Sequence, residues 1–242
     1  MSTTFLRRAL TGAAALLLLG TAPAVPAQDG RPGEAASGAA QGRETGVQRK
    51  EAAARRVADA AGVVRTMTAT PALAEMLGRA RGVYIVPTFG RAALGVGAEG
   101  GSGVLMLRQA DSSWGNPVFY NIGGISLGLQ AGAEGGPLAL LLMNQKAVDS
   151  FRKRNNFSLS ADAGLTVMNY ARMARGTTAG DVVAWSGGKG LFGNAATISI
   201  DGVRYNQRLT HAYYGKPVTA LEAMDSTTPE QQAAPLRAAL GK

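Results

Sequence analysis

Two periods of hydrophobic positions divide the chain. From residue 44 to about residue 67 apolar residues recur at helical spacing, with Val47, Ala54, Val57, Ala58, Ala61 and Val64 on one side of a wheel and Arg49 and Arg56 directed away from it. The stretch is rich in alanine, has no proline and offers the i,i+4 pairs Glu51/Arg55 and Arg55/Asp59, so it predicts a first helix. Because half of that apolar side is alanine and the rest valine, little area is available for its grip on a neighbour. Thr70-Pro71 then supplies a cap followed by proline at the first helical position, and Leu73, Met76 and Leu77 form the stripe of a second helix running to about Arg81.

Beyond Gly82 the period shortens to two. Val83 to Val86 reads as a strand, Leu94, Val96 and Ala98 alternate with glycine, and Gly100-Gly101-Ser102-Gly103 reads as a hairpin turn into Val104-Leu105-Met106-Leu107. The same alternation predicts strands over 118–121, 125–131, 138–143, 159–167, 182–186, 195–200 and 205–209. A helix over 145–153 carries its basic residues at the C-terminal end, where the helix dipole favours them, and two short helical stretches follow Pro217. Together these elements predict an α+β fold: N-terminal helices packed on a glycine-rich, strongly curved antiparallel β-sandwich or barrel. Glycines inside strands mark bends or close backbone approach. The expected organisation is helices over 44–81, a β-rich body over 82–215 within a domain ending at 218, and a C-terminal tail over 219–242.

The N-terminus predicts export. Arg7 and Arg8 precede a short apolar run over 9–20, followed by small residues up to Ala27, which is the pattern of a signal peptide over 1–27 with cleavage after Ala27 or, alternatively, Ala24. The apolar run is about half of the roughly 20 residues a spanning helix needs. The adjacent arginines fit a twin-arginine leader only loosely and leave the export route open. Residues 28–43 are polar, glycine-rich and without period, and read as a flexible linker.

Composition narrows the chemistry. Among 242 residues there is no cysteine and one histidine, His211, so disulfides, thiolate chemistry and multi-histidine metal sites are excluded, and no metal or cofactor is expected. Asp162, Asp181 and His211 are scattered without partner spacing, so no catalytic residue is assigned and the chain reads as non-enzymatic. The formal charge is +9, lowered only by Arg7 and Arg8 if the leader is removed. For an exported chain that charge points to anionic lipid headgroups, lipopolysaccharide or acidic wall polymers as partners, not to nucleic acid.

Two glycine motifs invite a nucleotide or anion reading. Gly95-Val96-Gly97-Ala98-Glu99-Gly100 matches a dinucleotide fingerprint by letter, yet leads into a strand where that fingerprint requires a helix. Gly187-Gly188-Lys189-Gly190 places Lys189 among backbone N–H groups, either as part of an anion nest or as a solvated lysine in a wide turn. Basic residues cluster at Arg49, Lys50, Arg55 and Arg56, at Arg79, Arg81 and Arg91, and at Arg152, Lys153 and Arg154, either as a membrane-facing charge or as solvated helix faces.

Several motifs occur in one order: Gly97-Ala-Glu-Gly-Gly-Ser-Gly-Val-Leu105, Trp114 with Pro117-Val-Phe119, Ser126-Leu-Gly-Leu-Gln-Ala-Gly132, Leu142-Met143-Asn144, Phe157-Ser-Leu-Ser-Ala-Asp-Ala163, Lys189-Gly-Leu-Phe192 and Tyr213-Tyr214-Gly215. Over about 71–218 the chain thereby resembles the SYLF domain family, the lipid-binding, yeast actin-binding type. The resemblance implies a non-enzymatic domain that binds membranes through anionic phospholipid, phosphoinositides in eukaryotic members, aided by a basic N-terminal amphipathic segment, here 44–67. Two departures stand out. The family's frequent Ser-Arg-Ser-Lys-Gly-Leu-Phe is Ser186-Gly187-Gly188-Lys189-Gly190-Leu191-Phe192 here, and the lipobox cysteine of many bacterial members is missing.

The resulting expectation is an exported, peripherally membrane-associated protein of the bacterial envelope. It would bind anionic phospholipid through Arg49, Lys50, Arg55 and Arg56, with Lys189 as a further headgroup contact and no small-molecule substrate. The alternative is a structural or protein-interaction module of the periplasm that binds an envelope protein. An outer-membrane β-barrel fits poorly, because 6% aromatic residues are few for two interfacial girdles.

Overall fold

The computed structural model describes residues 45–90, 100–126, 135–173, 180–188, 192, 195, 197–228 and 230–241. The expected leader and linker lie outside these residues, as do Arg91 and Lys189.

The first helix, α1 (Gly46–Thr68), opens with a capping box: the Thr45 hydroxyl accepts from the Gln48 N–H, and the Gln48 side chain accepts from the Thr45 N–H. Its buried face is Ala53, Val57, Ala60, Ala61, Val63, Val64 and Met67. That face is rotated from the expected one, since Ala58 is exposed and Val47 is 69% exposed. Fully buried Ala53 and Ala60 have no bulk to hold the helix away from the sheet, so the backbone settles over them. The Arg56 side chain consequently turns inward, and its Nη1 donates to the Ser102 carbonyl at 3.0 Å, correcting the expectation that it faces outward. After α2 (Pro71–Arg79), with proline in its first turn, the chain enters the sheet.

The sheet consists of β1 (Gly82–Phe89), β2 (Gly100–Leu107), β3 (Val118–Ser126), β4 (Gly136–Leu142), β5 (Asn156–Phe157), β6 (Val167–Asn169), β7 (Val182–Ser186) and β8 (Ser199–Tyr205). Their order is β5-β8-β3-β2-β1-β4-β7-β6, antiparallel throughout except for the β6/β7 pair. The ends of the sheet meet. Thr197, just ahead of β8, bridges Met168 of β6, and the Ile198 N–H donates to the Val167 carbonyl at 3.0 Å. Of the expected sandwich or barrel, the strongly curled sheet is the barrel-like form.

Side chains alternate between two apolar clusters. Tyr84, Val86, Leu105, Tyr120, Leu140 and Val203 share one with Phe151 of α3 (Gln145–Lys153), whereas Val83, Ile85, Val104, Met106, Phe119 and Leu141 meet α1 and α2. Both faces of the central strands are therefore covered, which explains the nearly unbroken apolar runs in β1 and β4.

Three expectations are corrected. The glycine run 100–103 is not a turn: it lies within β2, where Gly101 and Gly103 sit against β1 backbone. Residues 159–166 form turns, not a strand, because Asp162 accepts from the Ser158 N–H, the Ser158 hydroxyl accepts from the Ala161 N–H, and Gly164 has φ +56°. Where a strand was expected over 205–209, β8 ends at Tyr205 and helix α5 (Gln207–Tyr214) begins, with α4 (Tyr170–Met173) the short helix before it. Asn206 caps α5 by accepting from the Leu209 N–H at 3.0 Å, and Gly215 at φ +68° ends it.

The C-terminal stretch packs on the same body as α6 (Ala220–Asp225), a 3-10 turn (Gln231–Ala233) and α7 (Ala234–Leu240). Buried Asn116 is its fastening point. Its amide donates to the carbonyls of Ser226 and Thr228 at 3.2 and 2.8 Å, while its oxygen accepts from the Glu230 N–H and the Arg237 guanidinium.

Candidate functional site

The expected basic residues of the first helix do not act as one face. Lys50 is exposed, Arg49 is half-buried and Arg56 is committed to the sheet. Arg55 reaches Glu51 at 3.6 Å across the helix surface, with both side chains more than 60% exposed, a pairing that water screens strongly. The face left to solvent carries Lys50, Arg55 and Arg65 against Glu51 and Asp59. Most of the apolar face is already buried against the sheet, α5 and α7, so the helix cannot lie flat in a bilayer without leaving the fold.

One turn differs. Val47 and Leu221 are the exposed large hydrophobics among the described residues, and Val47 lies one helical turn before Lys50 in the first turns of α1. An apolar side chain beside an ammonium group at the outer end of a helix is the smallest unit that can both insert into and be attracted to an anionic interface.

A second basic locus forms where α2, β2 and α3 meet. There the fold brings Arg79, Arg81 and Arg152, drawn from two separate sequence clusters, around a groove of about 460 Å³ together with Arg108, which sequence reasoning passed over. Arg108 stands alone between Leu107 and Gln109, and no charge run marks it. Its Nε donates to the Ala80 carbonyl at 3.2 Å and its Nη1 to the Ser112 carbonyl at 2.8 Å, while the guanidinium stacks 4.4 Å from the Trp114 ring centre. Arg152 makes a two-pronged contact with Asp225 at 2.7 and 3.0 Å, and these hydrogen bonds hold its pKa above the ordinary arginine value. Lys153 turns instead to Asp149, whose carboxyl pKa it lowers through a 2.8 Å hydrogen bond.

The tyrosines with raised pKa values, Tyr84, Tyr120, Tyr213 and Tyr214 among them, owe the shift to burial, and the Tyr84 and Tyr120 hydroxyls are spent on the carbonyls of Tyr120 and Phe151. Among the described residues no three His, Asp or Glu side chains gather as metal ligands, and no helix is long and apolar enough to cross a membrane.

Comparison with known proteins gives this architecture a context. Residues 123–242 match the family model described as Ysc84: Las17-binding protein actin regulator. The match starts within β3 and runs through α7, so it includes the C-terminal stretch that the sequence motifs left out. SH3 domain-containing YSC84-like protein 1 of Homo sapiens is 27% identical over 162 residues, covering 64% of this chain and 46% of that protein. The Bos taurus protein of the same name is 28% identical over 166 residues, covering 65% and 48%. LAS seventeen-binding protein 3 of Saccharomyces cerevisiae is 28% identical over 154 residues, covering 60% of this chain and 33% of that protein. The chain thus spans about half the length of the animal relatives it matches, or less. With that family match added to a curled sheet and its N-terminal helices, the chain belongs to the Ysc84, or SYLF, family.

Proposed function

We propose that the protein is a non-catalytic module that docks peripherally on an anionic phospholipid surface, exported to the bacterial envelope by its N-terminal segment. The observation that carries this reading is the outer end of α1, where exposed Val47 and Lys50 adjoin and exposed Arg55 lies about two turns beyond Val47. Each Lys or Arg near an anionic surface contributes about 1 kcal/mol, so Lys50 and Arg55 with shallow burial of Val47 give reversible attachment. Arg49 lies close enough along α1 to add to this field. Arg56 contributes through its place in the fold, not by reaching the lipid.

Vesicle sedimentation tests it. At low salt the protein co-sediments with vesicles containing phosphatidylglycerol and much less with phosphatidylcholine alone. Replacing both Lys50 and Arg55 by glutamine weakens binding by about tenfold or more, and raising the salt removes the difference. Equal recovery with neutral and anionic vesicles at low salt contradicts the proposal.

A protein-interaction module is the second reading, favoured by the actin-regulator description of the family and by relatives named for binding LAS seventeen. It requires no lipid dependence, and its binding would survive the Lys50 and Arg55 exchanges.

A further inference from the structure

The arginine groove at the junction of α2, β2 and α3 holds more positive charge than the fold uses. Two of its four guanidinium groups have carboxylate partners. Arg152 is clasped by Asp225, and Arg79 lies 3.5 Å from Glu75, with both of those side chains about two-thirds exposed. Arg108 is held by carbonyls and by the Trp114 ring, which fix its position without neutralising it. Arg81 is the most available. Its backbone is pinned on both sides, N–H to the Leu142 carbonyl at 2.8 Å and carbonyl from the Arg108 N–H at 2.9 Å, while its exposed side chain meets no carboxylate or hydrogen-bond acceptor among the described residues. The groove therefore gathers a surplus of two positive charges around a concave space, with Arg81 and Arg108 joined by a backbone hydrogen bond.

We propose that this groove binds a phosphomonoester dianion, with Arg81 as the principal ligand and Arg108 as a preorganised second donor. The charge surplus selects the class. A carboxylate or a phosphodiester offers one negative charge, whereas a phosphomonoester carries close to two at neutral pH and presents three oxygens to planar guanidinium forks. Arg108 also supplies donors to Leu77 and Ala80, the last carbonyls of α2, so the negative end of that helix is capped and does not oppose the anion. Ser112 and Gln145 border the groove with neutral hydrogen-bonding groups. This goes beyond membrane docking by α1, because it uses other residues and needs no bilayer.

The phosphomonoester can belong to a soluble molecule or to a lipid headgroup, and the test separates the two. The full chain is titrated calorimetrically with glycerol phosphate, and in parallel with phosphatidylcholine vesicles bearing either phosphatidic acid, a monoester, or phosphatidylglycerol, a diester, at equal surface charge. Saturable binding of glycerol phosphate, weakened about tenfold by Arg81→Gln and unchanged by the Lys50 and Arg55 exchanges, supports a soluble ligand. Binding confined to phosphatidic acid vesicles, with the same dependence on Arg81, supports a headgroup. Since the Arg81 side chain meets no carboxylate or hydrogen-bond acceptor among the described residues, an unchanged melting temperature confirms that the variant is folded. Absence of binding by both probes, or equal binding by Arg81→Gln and the parent, overturns the proposal. Loss of phosphatidylglycerol binding in the α1 variant bears only on the α1 reading.

Discussion

Replacing Phe151 by alanine lowers the free energy of unfolding by about 3–5 kcal/mol, read as a shift in the urea midpoint at constant m-value. The ring is fully buried on α3 and links three others, with centroids 5.8 Å from Tyr84, 5.3 Å from Tyr120 and 5.2 Å from Phe157. These rings come from β1, β3 and β5, so one side chain joins the centre of the sheet to its edge. The Tyr120 hydroxyl donates to the Phe151 backbone carbonyl, a contact that alanine retains, so the loss measures ring packing and the cavity left behind. A cost below about 1 kcal/mol would mean that α3 does not seat in the curl of the sheet as described.

Gly103→Ala is the second large effect, about 3 kcal/mol, and it arises from overpacking. A methyl group on Gly103 would press into the Ile85 carbonyl oxygen and come within 2.7 Å of the Tyr84 ring and 2.8 Å of Val86. Backbone cannot yield there without breaking the β1/β2 register that pairs Ile85 with Val104 and Tyr84 with Leu105. Gly78 is the control. It lies in α2, where an added methyl group would have nothing within 4 Å, and Gly78→Ala raises stability by about 0.5–1 kcal/mol, the usual helical preference. Equal effects at the two positions would refute the close approach of β1 and β2.

Gly103 shows how far the pattern of residues reaches. Glycines inside strands predict close backbone approach, but the run 100–103, expected as a turn, lies within β2; the helices α1, α2 and α3 form where expected, with the buried face of α1 rotated. Asn206 caps α5 and Gly215 stops it, where the alternation from Tyr205 alone pointed to a strand. The inward turn of Arg56 was not readable, since it depends on how closely alanines let α1 approach the sheet, a distance no helical wheel contains. The arginine groove was legible only in parts. Arg79 ends α2, Arg81 follows it, Arg108 follows β2 and Arg152 sits on α3, and these residues meet only because the strand order sets β2 beside β1 and β1 beside β4. Register and order are long-range properties, and local periodicity is silent on both.

Membrane docking as proposed requires that the outer end of α1, and no other exposed apolar point, enters the lipid interface. The chain contains no cysteine, so Val47→Cys and Leu221→Cys each offer a single attachment point for an environment-sensitive fluorophore. On adding phosphatidylglycerol vesicles at low salt, the label at position 47 shifts to the blue while the label at 221 stays as in buffer. A shift at 221 with none at 47, or no shift at either while the protein co-sediments, contradicts the claim.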